Sequence, residues 1–255
     1  MSLTVKDKMG NPKFLIIKTG STYAELRKKR MDFEDMIMNT AGMKEVKWVI
    51  RPLLNVELDK VPIFKGIVIT GSHKSLVTGY NHDKHFKTVL DIIIKNKIPT
   101  LGICFGHQLI CYVMGGMVSR NPIGPEFGIS TINLTINGLS DPLFRGVNKA
   151  RLEVFSSHVD SVNKAPPDFV QLAWNEHSLF QAVRYDSFLY GVQFHPEFDK
   201  ETMEFYIMKN WKLLTKDHLS SPLFKDNPNK LLKSLRSLKK PKLILKNFVG
   251  IALNA

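Results

Sequence analysis

The sequence predicts an α/β fold, a doubly wound and mostly parallel sheet with an antiparallel edge extension. Three observations carry that expectation. From Phe14 to Gly116, apolar runs of strand length alternate with segments of helical period, the pattern of a sheet covered on both faces. After Gly116 the pattern shifts to short extended runs without long helices between them. Between the two lies Gly102-Ile103-Cys104-Phe105-Gly106-His107-Gln108, an abrupt strand-to-helix turn with a cysteine at its apex.

Phe14 to Lys18 reads as the first strand. Tyr23 to Thr40 reads as one helix, with Leu26, Phe33 and Ile37 on an apolar face and Gly42 closing it. Val46 to Ile50 and Gly66 to Thr70 follow as strands, the latter ending at Gly71-Ser72, and His82 to Lys97 as a helix. Lys97 to Leu101 is the strand before the cysteine, and Gln108 to Met114 the helix after it, stopped by Gly115-Gly116. Ile129 to Thr135, Arg151 to Phe155, Gln171 to Trp174 and Phe180 to Tyr185 supply the antiparallel edge. Leu189 to Phe194 returns as a strand, and Asp199 to Leu214 as a helix. There is no internal repeat and no low-complexity block.

A chain of 255 residues with 44% hydrophobic residues has room for one α/β domain and a tail. Its two cysteines, Cys104 and Cys111, sit about two turns apart on one helical segment, too far for a disulfide. That usage suits a reducing compartment, and a cytoplasmic protein is expected. Met1 to Pro12 is polar and charged, with no signal-peptide core, and no run approaches membrane-spanning length. A GxxxxGK[ST] loop, an HExxH pair and paired CxxC motifs are missing, so neither a metal nor any other cofactor is expected.

The cysteine turn carries the chemistry. Glycines on either side let backbone segments approach where a Cβ would clash, and a helix N-terminus favours a thiolate. A lone GxCxG is equally a packed core cysteine. A partner shifts the balance: Gly191-Val192-Gln193-Phe194-His195-Pro196-Glu197 puts a histidine where a strand ends. Pro196 favours an extended His195, and alternate residues of an extended chain share a face, so His195 and Glu197 are expected side by side. A carboxylate beside an imidazole fixes its tautomer while the imidazole takes the thiol proton. Cys104, His195 and Glu197 are the expected triad.

GICFGHQ, followed about ninety residues later by VQFHPE, resembles the class I glutamine amidotransferase family over about Phe14 to Trp211. KTGSTYAELRKKRMDFEDMI and NPIGPEFGISTINL are similar to its stand-alone branch, related to the amidotransferase half of GMP synthase. The resemblance implies a flavodoxin-like fold and a glutaminase: a hydrolase that opens the side-chain amide of glutamine through a cysteinyl thioester and releases ammonia. It implies that the backbone amides of Gly71 and Phe105 form the oxyanion site. It also implies that Gln108, Ser157 and His158 bind substrate, the last two within an SSHVD loop whose backbone grips the amino-acid end. Glu126 resembles a position near the pocket, and His73 is read as a loop residue. The α/β-hydrolases are a structural rival, but there the acid precedes the histidine, whereas Glu197 follows His195. No SGGxDS-type ATP-pyrophosphatase loop accompanies the domain. Three functions stay open: a partner of a separate synthetase subunit that accepts the ammonia, a stand-alone γ-glutamyl peptide hydrolase, and a non-catalytic scaffold of the same fold.

The formal net charge of +13 is concentrated after Trp211. Residues 1–214 are therefore read as the amidotransferase-like domain and 215–255 as a basic amphipathic extension. Asn229 to Lys240 puts Leu231, Leu232, Leu235 and Leu238 on one helical face, and the apolar run Leu243 to Leu253 follows Pro241. The favoured reading docks these leucines on the core; membrane-surface contact or partner binding is the rival. No basic motif interleaved with aromatics supports specific nucleic-acid binding.

Overall fold

Strands buried on both faces are apolar along their whole length, and the centre of this sheet is built from such strands. The computed structural model describes residues 10–42, 45–220 and 227–255. Residues 1–9 of the polar opening segment lie outside them. In chain order the elements begin with β1 (Lys13–Lys18), α1 (Ala24–Lys29), α2 (Phe33–Ala41), β2 (Lys47–Pro52), β3 (Gly66–Ile69) and α3 (Asp83–Lys95). Next come β4 (Thr100–Ile103), α4 (Phe105–Val113), β5 (Met117–Arg120), β6 (Glu126–Leu134), α5 (Ile136–Ser140), β7 (Arg151–His158) and β8 (Asp160–Lys164). The chain continues through β9 (Phe169–Trp174), β10 (Ala182–Tyr185), β11 (Leu189–Val192), α6 (Lys200–Lys209), α7 (Trp211–Ser220), α8 (Pro228–Ser234) and α9 (Lys242–Asn254).

Among the described residues, the large sheet runs β2-β1-β3-β4-β11-β10-β9-β6-β7. The five strands from β2 to β11 are mutually parallel, and from β11 outward every pairing is antiparallel. The expected α/β sheet with an antiparallel extension is therefore present. β4 lies between β3 and β11 in parallel register, with Leu101 opposite Val68 and Tyr190. That register brings the loops after β3, β4 and β11 to one end of the sheet, where ligands bind in open α/β folds.

Several boundaries differ from the sequence reading. The helix expected over Tyr23 to Thr40 is two helices. Asp32 breaks it, accepting from the Phe33 and Thr22 amides (2.9 and 2.8 Å) and pairing with Lys18 Nζ at 2.9 Å. Asp32 and Asp35 form a capping box at the start of α2, and Gly42 closes that helix in the left-handed region (φ 64°). The expected Asp199–Leu214 helix likewise divides at Asn210, whose side chain bonds the Tyr206 carbonyl at 2.8 Å. The strand before the cysteine starts at Thr100, because Lys97 takes a positive φ of 48° and belongs to the turn. β11 ends at Val192 rather than Phe194. The antiparallel ribbon of β5 and β8 is absent from the sequence reading, since MVSR and DSVNK are polar and partly exposed.

The C-terminal segment is part of the packing. α8 ends at Ser234, with Leu235 extended (φ −64°, ψ 130°), so the helix expected to reach Lys240 is shorter. Leu231 and Leu235 are buried in one cluster with Phe127, Phe155 and Tyr206. On α9, Ile244, Leu245, Phe248, Val249 and Ala252 are fully buried, in the cluster that holds Phe14 and Val68. Gly66 permits this approach: a Cβ there would come within 2.5 Å of Phe14 Cε1 and 2.9 Å of Ala252 Cβ. No helix among the described residues is long and apolar enough to cross a membrane. Phe248→Ala is expected to lower the unfolding free energy by about 3–5 kcal/mol in urea denaturation, the cost of emptying a fully buried aromatic site. A change under about 1 kcal/mol would mean that α9 contributes little to the core.

Candidate active site

β4 runs into α4 through a single residue. Cys104 adopts φ 49°, ψ −101°, a region that costs a non-glycine residue about 1–3 kcal/mol. The surroundings enforce it. The Cys104 amide donates to Val192 O at 2.8 Å, and its carbonyl accepts from the Gln108 amide at 3.0 Å. A Cβ on Gly102 would lie 2.6 Å from the Gly106 backbone, and one on Gly106 would lie 2.5 Å from Ile69 O. Glycines at both positions let α4 start directly over β3 and β4. First-turn amides of α4 have no acceptor within the helix and favour negative charge beside the sulfur.

His195 lies beyond the end of β11, with its amide bonded to Phe155 O at 2.8 Å. Its ring stacks on Phe198 at 4.1 Å. Nδ1 meets Glu197 Oε1 at 2.7 Å, and both side chains are almost fully buried. The two come together through a turn, closed by the Phe198 amide on His195 O at 3.4 Å, and not through the strand alternation expected from sequence. The imidazole also hydrogen-bonds Cys104. Burial pulls the His195 imidazole down, but the charges of Glu197 and Cys104 and the hydrogen bonds to both outweigh it and raise it well above its usual range. Cys104 Sγ further lies 3.6 Å from Gln193 Nε2 and 3.9 Å from Ser157 O.

Gly71 borders the same point. A Cβ there would lie 3.1 Å from His195 Cε1 and 3.8 Å from Cys104 Cβ. Thr19 fixes that loop, its hydroxyl donating to Thr70 O at 2.9 Å and lying 3.2 Å from Gly71 O. Phe105, the first residue of α4, is buried. Cys104, His195, Glu197, Gly71 and Phe105 therefore converge at the ends of three adjacent strands.

A cavity of about 330 Å³ opens over Cys104 and is lined by Gln108, Ser157 and His158 on one wall and His73 and Tyr206 on another. Gln108 Nε2 is held by Asp160 O at 2.8 Å and Gln193 Oε1 at 3.1 Å. The His158 ring is bound to Glu126 Oε2 through Nε2 (2.7 Å) and to Asp160 O through Nδ1 (3.0 Å), so this residue offers the cavity its backbone. Glu126 lies behind that wall, accepting from Asn175 Nδ2 at 2.6 Å and Gln181 Nε2 at 2.7 Å. Burial pushes the Glu126 carboxyl up, but the His158 bond and the nearby histidine charges hold it at about 2. Glu126, His158 and His177 bring ligand atoms within 4.8 Å of one another. Both Glu126 oxygens already accept donors, so the trio reads as a hydrogen-bonded brace for the loop rather than a metal site.

His73 and Tyr206 are absent from the sequence-derived site. His73 Nε2 lies 3.1 Å from the Tyr206 hydroxyl, which lies 2.7 Å from Thr22 Oγ1, and the His73 ring sits 4.2 Å from that of Tyr23. Burial, then the His195 charge, lowers the His73 imidazole. Its place two residues after Gly71 was the available signal; Tyr206, 133 residues further on, gave none. A larger hollow, about 830 Å³, along residues 139–150 has no cysteine or histidine in its lining.

Comparison with known proteins agrees with this arrangement. The family profile described as glutamine amidotransferase class-I matches residues 37–213. The A subunit of glutamine-hydrolyzing GMP synthase from Thermococcus kodakarensis is 34% identical over 163 residues, covering 64% of this chain and 74% of that protein. The glutamine-hydrolyzing GMP synthase of Thermosipho africanus is 35% identical over 159 residues, 58% of this chain; the chain spans only 29% of that longer relative. The crystal structure of a glutamine amidotransferase from Thermotoga maritima superposes with a TM-score of 0.66 at 22% identity, covering 96% of this chain and 97% of the other, a likeness of fold.

His107, behind the nucleophile turn, is fully buried, and a Cβ on Gly191 would come within 2.4 Å of its Nδ1. Burial lowers its imidazole to about 3. A histidine depressed in the folded state binds fewer protons there than in the unfolded chain. Its contribution is complete above the unfolded value and is lost as pH falls from about 6.5 towards 3. In urea titrations below pH 6.5, the stability advantage of the parent over His107→Gln is expected to shrink by about 1.4 kcal/mol per pH unit. Parallel pH curves would contradict this.

Proposed function

The chain belongs to the class-I glutamine amidotransferase family, and from that premise we propose that it hydrolyses the side-chain amide of glutamine with Cys104 as nucleophile. His195 serves as base and acid, and Glu197 orients and charges its ring. The thiolate attacks the γ-amide carbon, and the oxyanion is met by the Gly71 and Phe105 amides. His195 hands its proton to the departing nitrogen as the C–N bond breaks, leaving a thioester and ammonia. A water that gives its proton to His195 then attacks the thioester; the C–O bond forms, the C–S bond breaks, and glutamate leaves. Gln108 and the Ser157-His158 backbone hold the amino-acid end of the substrate. The observation that carries this reading is a strained, strand-end cysteine hydrogen-bonded to an imidazole whose far nitrogen lies 2.7 Å from a buried carboxylate.

We assign residues 1–214 to the amidotransferase domain and 215–255 to an extension. The ammonia acceptor is then a separate synthetase subunit, the division of labour suggested by archaeal relatives that are themselves named as one subunit of GMP synthase. A free thiol nucleophile suits the cytoplasm. One observation favours the γ-glutamyl peptide hydrolase reading instead: the cavity continues past Cys104 along Tyr23, His73 and Tyr206, a wall on which a leaving group larger than ammonia could rest.

Cys104→Ser is expected to reduce glutamate release from glutamine by at least about 1,000-fold with an unchanged circular dichroism spectrum and melting temperature. Turnover equal to the parent would remove the nucleophile assignment. The same release assay, run on glutamine and on γ-glutamyl dipeptides without a partner, separates the two readings. Faster peptide cleavage with negligible glutamine turnover selects the peptidase.

A further inference from the structure

The triad acid borders a second cavity. Glu197 does not line the hollow over Cys104; it lines a separate one of about 320 Å³, with Thr40 from α2, Asp199 and Thr202 at the start of α6, and Lys242 and Lys246 from α9. Both lysines lie outside the residues matched by the family profile. Four residues apart, they share one helical face. α9 holds them firmly through its buried Ile244, Leu245 and Phe248, and through Asn247 Nδ2 on Leu143 O and Arg145 O at 2.9 and 2.8 Å.

The charged and titratable groups facing Glu197 are few. His195 and Asp199 flank it in the same segment, Asp199 being paired with Arg30. Tyr206 of α6 feels its charge across the core, and Lys242 and Lys246 face it from α9. Met36, Asn39 and Thr40, the α2 residues on this cavity, are uncharged. Among the described residues, Glu197 Oε2 has no hydrogen-bond partner, and no lysine or arginine lies within 4.0 Å of the carboxylate. The nearest compensation from the extension thus acts as a field across the cavity.

We propose that Lys242 and Lys246 are positioning residues for the triad, their charge favouring ionised Glu197 and, through the same field, ionised Cys104. The basic extension would then tune the nucleophile besides packing on the core. This rests on the amidotransferase reading of Cys104, His195 and Glu197. The sign follows from counting charge. Thiol ionisation on the acid side and imidazolium deprotonation on the alkaline side each remove one positive charge from the pair. A nearby cation promotes both, so removing it moves both limbs of the pH profile upward together.

The test compares full-length parent, the Lys242→Met/Lys246→Met double variant and the matching Lys→Arg double variant. Two readouts are followed against pH: kcat/KM for glutamine, and the rate of Cys104 alkylation by iodoacetamide, which needs no turnover. Cys104→Ser supplies the alkylation blank for the buried Cys111. At low salt the Met variant is expected to shift both limbs of kcat/KM, and the acid limb of alkylation, upward by about 0.5 pH unit. The Arg variant should follow the parent, and about 0.5 M sodium chloride should erase most of the difference. Coincident parent and Met profiles would overturn the proposal. So would a loss of amplitude without a shift, the mark of a purely structural role. A shifted alkylation profile without glutamine turnover in any protein would uphold the lysine effect and sink the amidotransferase reading.

Discussion

The close approach of α4 to the sheet at Cys104 governs everything nearby. Gly102 and Gly106 remove the two Cβ atoms that would hold the helix away, and the backbone at Cys104 then turns through a conformation that a non-glycine residue avoids. The turn survives because both its flanks are fixed, by the Val192 carbonyl on one side and by the first α4 hydrogen bond on the other. Strain here is maintained by packing rather than by any local preference of cysteine. The same geometry sets the sulfur among helix amides and lifts it clear of β4.

Electrostatic balance around His195 follows from burial. In a nearly water-free setting, desolvation disfavours the charged ring, so charged neighbours decide its state. Glu197 at 2.7 Å and Cys104 on the other side tip the balance towards the imidazolium. His107, equally buried but without a carboxylate at hand, goes the opposite way and stays neutral. Two histidines separated by one turn of sheet and helix thus hold different protonation states for one reason. Glu126 repeats the principle a layer further out, where amide and imidazole donors keep a buried carboxylate ionised and brace the strand that carries Ser157.

The C-terminal helices close the lower face of this arrangement. α9 lies against β3 at Gly66 and against α2, and its Ile244 and Phe248 share a hydrophobic cluster with Cys104 and Val192. A basic, leucine-rich segment therefore reads in two registers: its apolar stripe is consumed by the core, and its lysines are left on the rim of the cavity behind Glu197.

Local pattern was enough for much of this. The apolar run Gly66–Ile69, the GICFGHQ turn and the HPE segment each carry their own signal, because strand burial, glycine spacing and a proline-flanked histidine are properties of a few consecutive residues. The sequence by itself determined the α/β class, the order of strands along the chain and the identity of the nucleophile, base and acid candidates. Tertiary structure alone decided the rest. Asp32 split a helix because Lys18 and the Thr22 amide reached it from other segments. His195 met Glu197 through a turn that Phe155 and Phe198 stabilise, and His73 joined the cavity only because Tyr206 folds back onto it. Those outcomes depend on partners far apart in the chain, and no window of neighbouring residues contains the distances that fix them.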